Sequence, residues 1–369
     1  MAGAHSRERV ADTLPDFPWD VLAPFSERAR QYPGGALDLS VGTPVDPTPQ
    51  LIQDALGAAA DAPGYPTVAG RDDLRAACSA WMERSLGVHV HPTAVLPGIG
   101  SKELIASIPR MLGLDSRARI VIPRIAYPTY AVGAVLAGCE PIATDEPESV
   151  DGAALVWLNS PGNPTGSVLP VQRMAEIVAW ARANDVIVIS DECYIELGWE
   201  SEPVSILHPS VCGDSHEGVL AVHSLSKRSN LAGYRFGFVA GDQQVVGDLL
   251  AVRKHAGMMV PTPVQYAAIA ALGDDEHVAE QRERYRGRRD VLRAALTGAG
   301  MRIDDSEAGL YLWATRSEPC WDTVAWFADR GIVVTPGDFY GPAGAQHVRV
   351  ALTATDAQVA EVAARLSAT

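Results

Sequence analysis

The sequence predicts an α/β fold with a buried, mainly parallel sheet, followed by a smaller α+β unit. Three observations carry this prediction. Short apolar, β-branched runs recur through the middle of the chain, helical periodicity fills the gaps between them, and a proline break at Pro261 to Pro263 precedes a change of pattern. The runs are IVIP from Ile120, ALVWLN ending at Asn159, VIVIS from Val186, VLAVHS from Val219 and FGFVAG from Phe236. Runs that are apolar on both faces suit strands covered on both sides, the usual condition of a parallel sheet.

Between these strands, helices are expected from Asp72 to about Ser85, from Ser101 onward, and from Val171 to about Asn184, with Pro109 expected to kink the second. Beyond the proline break come a helix near Val264 to Leu272 and a long, charged one from about His277 to Thr297. Short strands near GLYLWA and HVRVAL flank a helix near Trp321 to Arg330, which gives the smaller unit its α+β character. The expected division is an arm over 1–40 that also contributes to the small unit, a large unit over 41–263 and a small unit over 264–369.

A chain of 369 residues that is 47% hydrophobic can bury two cores. With 45 acidic against 30 basic residues its net charge is −15, which repels nucleic acid and anionic lipid, and no basic run offsets it. The opening MAGAHSRERVADTLPDFPWD carries charges where a secretory leader needs an apolar stretch, and no run approaches bilayer length. A cytoplasmic protein with neither nucleic-acid nor membrane partners is expected. The five cysteines lie far apart with no CxxC pair, so they read as reduced packing residues. His89 and His91 are close together, but no HExxH or acidic cluster accompanies them, and no metal site is expected.

Chemistry enters with Lys227. A lysine in a polar loop is usually a solvated charge, but this one follows an apolar strand, is preceded by Ser224 and Ser226, and is followed by Arg235 within GYRFG. Two hydroxyls and a guanidinium can ligate a phosphate dianion, and glycines let the backbone pass close to it. The segment SLSKRSNLAGYRFG resembles the lysine signature of the class I and II, fold-type I aminotransferases, and further family motifs follow in order from about Leu39 to Leu352. The resemblance implies a pyridoxal 5′-phosphate enzyme whose large unit holds a mainly parallel seven-stranded sheet between helices. By it, Lys227 holds the cofactor as a Schiff base, Arg235 grips its phosphate, and Ser224 and Ser226 assist.

The other motifs read in the same two ways, first from the residues and then from the family. Asp191 closes the run VIVIS, where a carboxylate at a strand's C-terminal end faces the ligand crevice of an α/β sheet. A carboxylate beside a pyridine nitrogen keeps it protonated and makes the ring an electron sink. NSPGNPTG is good turn chemistry by itself, and it also matches the family loop in which Asn163 shares the cofactor's phenolic oxygen with Tyr194. In GIGSKE, Ser101 is a natural N-cap, and the amides opening its helix suit a phosphate; the resemblance makes Gly100, Ser101 and Lys102 the rest of that cradle. Tyr127 in IPRIAYPTY corresponds to the aromatic ring stacked on the cofactor, with Tyr130 as the alternative. Tyr65 resembles the tyrosine that reaches the phosphate of a neighbouring subunit, which implies a homodimer with shared sites. Arg349 in HVRVALT is suited to bidentate carboxylate binding, and the resemblance makes it, with Gly42 in LSVGTP, the holder of the substrate α-carboxylate. One departure, Ala118 and Arg119 where relatives often read GD, affects a turn.

These roles imply ping-pong transamination, with Lys227 shuttling the proton and Asp191 stabilising the developing charge. The longer texture, including LPDFPWD, DLSVGTPVDPTP, KHAGMMVPTPVQ, SEAGLYLWAT and PGDFYGPAGAQHVRVAL, is similar to the actinobacterial N-succinyldiaminopimelate aminotransferases of lysine biosynthesis. That similarity implies N-succinyl-LL-2,6-diaminopimelate and 2-oxoglutarate as substrates, with Lys102, Arg124, Arg228 and Arg253 as candidate cations for the distal acidic groups. The alternatives on the same scaffold are aspartate, aromatic or kynurenine transamination and β-elimination from cysteine conjugates. A cofactor-binding regulator without turnover would need an added DNA-binding element and a basic surface, and neither is visible.

Overall fold

The computed structural model describes residues 10–15 and 18–367. Residues 1–9 of the expected arm, Asp16 and Phe17 of LPDFPWD, and residues 368–369 lie outside the described residues. A short strand β1 (Leu37–Asp38) precedes β2 (Val95–Gly98), β3 (Arg119–Ile122), β4 (Glu140–Ala143), β5 (Ala153–Asn159), β6 (Ile187–Asp191), β7 (Val219–Ser224) and β8 (Gly237–Gly241). Strands β2 to β8 form one seven-stranded sheet in the order β2-β8-β7-β6-β5-β3-β4. Only β8 runs against its neighbours, so the sheet is mainly parallel as expected.

The continuous apolar runs have a direct cause in the packing. Val156, Val188, Ala221 and Phe238 point into one core, while Leu155, Trp157, Ile189, Leu220, Val222 and Val239 point into another on the opposite face. Each buried Val, Leu, Ile or Phe among them, withdrawn from water, stabilises the fold by about 1.5–3 kcal/mol. The helices Asp72–Leu86 and Val171–Ala183 cover the first face, and Ser101–Met111 covers the second. Pro109 falls in the last turn of Ser101–Met111 and the helix stops just beyond it, so the proline marks an end instead of the expected kink. The edge strands β2 and β4 escaped the sequence reading because Pro97 and Pro141 interrupt their runs, and proline in a sheet is tolerated at an edge.

A second sheet of β9 (Arg302–Asp304), β10 (Tyr311–Thr315), β12 (Thr335–Pro336) and β13 (Val348–Ala351) is antiparallel, in the order β12-β13-β10-β9. Here β11 (Ile332–Val333) pairs in parallel with β1, tying the start of the chain to this unit. Its core joins Leu312, Val348 and Val350 to Tyr285, Leu292 and Leu296 of the helix Glu276–Gly298. The helix Thr262–Leu272, expected on the small-unit side of the proline break, puts Ala267, Ala268, Ala271 and Leu272 into the large-sheet core. The change of core therefore falls between Leu272 and Glu276, after that helix. Among the described residues, no helix is long and apolar enough to cross a membrane.

One ion pair pins the segment leading out of β1 to the long helix. Arg288 is buried and takes both carboxylate oxygens of Asp46, at 2.6 and 2.7 Å, while its Nε donates to Asp356 at 2.7 Å. Asp46→Ala leaves a buried guanidinium short of its main partner, so a destabilisation of about 2–3 kcal/mol is expected. Urea unfolding of the variant against wild type checks this, and an unchanged midpoint would show that the pair contributes nothing net.

Candidate active site

Neighbouring parallel strands end together at one edge of the large sheet, with Asn159 of β5 opposite Asp191 of β6, and Ser224 ending the adjacent β7. Turns leaving these ends surround a cavity of about 230 Å³ lined by Lys227, Asp191, Asn163, Tyr194, Tyr127 and Arg349, among others. Gly42, Ser101, Lys102, Ser224, Ser226 and Arg235 also line it, so residues from seven separate motifs converge. Gly100 does not line the wall; it caps the helix that opens at Ser101. Its φ of 98° favours glycine, and a Cβ there would collide with the Arg235 guanidinium. Tyr65 lies away from this cavity and is 96% exposed on the isolated chain.

The lysine-bearing turn is held from several sides. Ser224 Oγ accepts from the Ser226 amide at 3.1 Å and caps the short helix Leu225–Arg228. Behind it, His277 bridges Asp274 at 2.6 Å and the buried Ser229 hydroxyl at 2.8 Å. Burial pushes the Lys227 amine below its ordinary value, favouring the neutral form. Asp191 sits at the floor, where burial pushes its carboxyl up even though it accepts from Tyr130 Oη at 2.8 Å and from the Cys193 amide at 3.2 Å.

Arg349 reaches in from β13. It is buried, donates from Nη1 to Asn163 Oδ1 at 2.9 Å and from Nη2 to the Ser40 carbonyl, and leaves Nε without a partner. Since Asn163 spends its Oδ1 on Arg349, its amide nitrogen remains available as a donor. Tyr194 Oη lies 3.0 Å from Tyr311 Oη.

Several expectations change here. Tyr130 cannot be the stacking ring: it is fully buried, stacked on Trp157 and bonded to Asp191, while Tyr127 faces the cavity. Arg228 and Arg253 are not free cations for a substrate, since both are buried, one paired with Glu196 and the other with Glu103 at 2.8 Å. Arg124 is exposed, lies 3.3 Å from Asp145 and borders a separate cavity; of the four, Lys102 alone lines the site. Cys193, expected as an ordinary packing residue, lines the cavity, as does Tyr311, to which the sequence reading gave no role.

The arrangement fits pyridoxal phosphate. One end offers hydroxyls, a guanidinium and the first amides of a helix for a phosphate. The same lining offers an amine whose burial favours its neutral form, two hydrogen-bond donors, a carboxylate and an incompletely satisfied guanidinium. Residues 35–366 match the family model for aminotransferase class I and II, and the chain belongs to that pyridoxal-phosphate-dependent family. It is 57% identical to a probable aminotransferase of Mycobacterium tuberculosis over 100% of this chain and 88% of that protein. It is 56% identical to the 4-dedimethylamino-4-oxo-anhydrotetracycline transaminase OxyQ of Streptomyces rimosus, over 96% of this chain and 99% of that one. Among solved structures, a probable N-succinyldiaminopimelate aminotransferase from Thermus thermophilus superposes with a TM-score of 0.86 at 27% identity, covering 95% of this chain and 100% of that one.

Behind the site, Glu192 Oε2 and His223 Nε2 lie 3.6 Å apart, both buried. Burial pushes Glu192 up from 4.5 to about 7 and His223 down from 6.5 to about 3. The stabilising proton on Glu192 is lost as pH rises through about 7, whereas His223 weakens the fold only as pH falls below 6.5. Glu192→Gln keeps an acceptor for the Ile206 amide, 2.7 Å away. It is expected to lose less stability than wild type between about pH 5 and about pH 8. Denaturant midpoints across that range check this; parallel curves would mean that Glu192 is not the titrating group.

Proposed function

We propose that the chain transfers the amino group of an α-amino acid to 2-oxoglutarate, with N-succinyl-LL-2,6-diaminopimelate as the donor. The observation that carries the reaction class is that Lys227, Asp191 and Arg349 line one cavity. Pyridoxal phosphate, when bound, supplies a carbonyl for the amine and an electron sink for the α-carbon. Lys227 would hold it covalently, and its depressed amine pKa suits Nζ to attack first and to carry the α-proton afterwards. Asp191 would keep a proton on the ring nitrogen; that positive charge in turn offsets the desolvation that raises its own pKa.

Asn163 and Tyr194 would donate to the phenolic oxygen, and Tyr127 would stack on the ring. Gly100, Ser101, Lys102, Ser224, Ser226 and Arg235 would cradle the phosphate, joined by Tyr65 from a second copy in a homodimer. The Arg349 guanidinium and the Gly42 backbone, which both line the cavity, would take the α-carboxylate.

The choice of donor is supported by the motif texture and by the likeness to the Thermus structure. LL-diaminopimelate aminotransferase of Dehalococcoides mccartyi, 34% identical over 90% of both chains, adds support. A second reading, amination of a polycyclic ketone, is favoured by the higher identity to the tetracycline-pathway enzyme.

Lys227→Ala is expected to abolish the visible absorption of the cofactor-loaded protein together with turnover, and an unchanged spectrum would overturn the cofactor role. Arg349→Ala is expected to raise KM for carboxylate donors by roughly 100-fold, through loss of a charge-assisted bidentate contact. With 2-oxoglutarate as partner, kcat/KM should be higher for the succinylated diamine than for aspartate, aromatic amino acids or kynurenine. Faster turnover of any of these, or of a polycyclic amine, would replace the donor while leaving the reaction class intact.

A further inference from the structure

Tyr311 of β10 is 3% exposed and makes three contacts within the site. Its ring centre lies 4.0 Å from the Arg349 guanidinium carbon. Its hydroxyl lies 3.0 Å from the Tyr194 hydroxyl, with the two rings edge to face at 5.7 Å. Gly42 passes so close that a Cβ there would collide with the Tyr311 phenol. The phenol thus fits only because residue 42 is glycine, and it touches groups assigned above to both substrate and cofactor.

Resting on the function proposed above, we propose that Tyr311 is a positioning residue that couples the carboxylate-binding arginine to the tyrosine beside the cofactor's phenolic oxygen. A phenol has one proton to donate. If Tyr194 gives its proton to the phenolic oxygen, the hydrogen bond between the two tyrosines must run from Tyr311 Oη to Tyr194 Oη. Accepting that bond makes Tyr194 the stronger donor and favours negative charge on the oxygen it faces. The Tyr311 ring has a separate task. Packed on a buried guanidinium, it holds Arg349 by a cation–π contact that uses none of the guanidinium's hydrogen-bond donors. Ring and hydroxyl therefore act on different kinetic quantities.

The test uses the cofactor-loaded enzyme and reads the pH midpoint of its visible absorption alongside KM and kcat. Tyr311→Phe keeps the ring and removes the hydroxyl. It should raise the midpoint by roughly half a pH unit, the equivalent of one modest hydrogen bond, while KM for the donor stays within about twofold. Tyr311→Leu removes the ring as well and should raise KM by about three- to tenfold. In a Tyr194→Phe background, Tyr311→Phe should move the midpoint no further. An equal shift in both backgrounds, or none in either, overturns the coupling, as does an unchanged KM in Tyr311→Leu. Lys227→Ala measured in parallel separates the two levels. If it keeps the visible band, the underlying cofactor reading fails and the coupling with it. If it loses the band while the Tyr311 variants behave as wild type, only the coupling fails.

Discussion

The buried guanidinium of Arg349 is the constraint on which the site depends. A charge withdrawn from water must be paired or hydrogen-bonded, or it destabilises the fold by several kcal/mol. Arg349 stands on β13 in the small sheet, and besides Thr335 of the neighbouring β12 at 3.5 Å its partners come from elsewhere: Asn163 from the turn after β5, and the Ser40 carbonyl from the segment after β1. Tyr311 and Tyr340 flank it at 4.0 and 5.2 Å. Satisfying one cation thus brings together the large sheet, the small sheet and the early chain. That satisfaction is incomplete, since Nε is buried without a partner.

The large sheet supplies the complementary half by simple geometry. Parallel strands deliver their C-terminal ends to one edge, so Asn159, Asp191 and Ser224 arrive side by side, each followed by a turn that bears a reactive or binding group. Burial then acts on both charged types in the direction that suppresses charge, raising Asp191 and lowering Lys227. In the protein alone this is a destabilising arrangement, an acid and a base both desolvated. A cationic ring nitrogen and an electrophilic carbonyl would offset it, so the cost of burying both groups and an affinity for a ligand of that chemistry would have one origin.

Legibility in the sequence followed the same division. The sheet was legible because strands buried on both faces leave uninterrupted apolar runs, and Lys227, Asp191, Asn163 and Arg235 were legible because each sits in a local motif at a strand end. The edge strands were not, since Pro97 and Pro141 break the pattern there. Tyr127 and Tyr130 could not be told apart along the chain: only three residues separate them, and the helix beginning at Thr129 turns the second inward onto Trp157. Arg228 and Arg253 looked like available cations because a sequence does not reveal that Glu196 and Glu103 lie beside them. Tyr311, Cys193 and the Glu192–His223 pair had no signal of their own, since their importance comes from tertiary neighbours.

This difference bears on what sets the substrate. The groups proposed to face the cofactor come mostly from turns of the large sheet, each a short motif. Those proposed to face the substrate come from three distant segments, at Gly42, Tyr311 and Arg349, and their geometry depends on how the small core packs against the large one. A shift of that packing by a fraction of an ångström would alter the substrate end while leaving the cofactor turns intact. The relatives differ in named substrate, one being a transaminase of an oxo-anhydrotetracycline and another of LL-diaminopimelate. Gly42 illustrates the point: a side chain there would collide with the Tyr311 phenol, whose ring packs on Arg349.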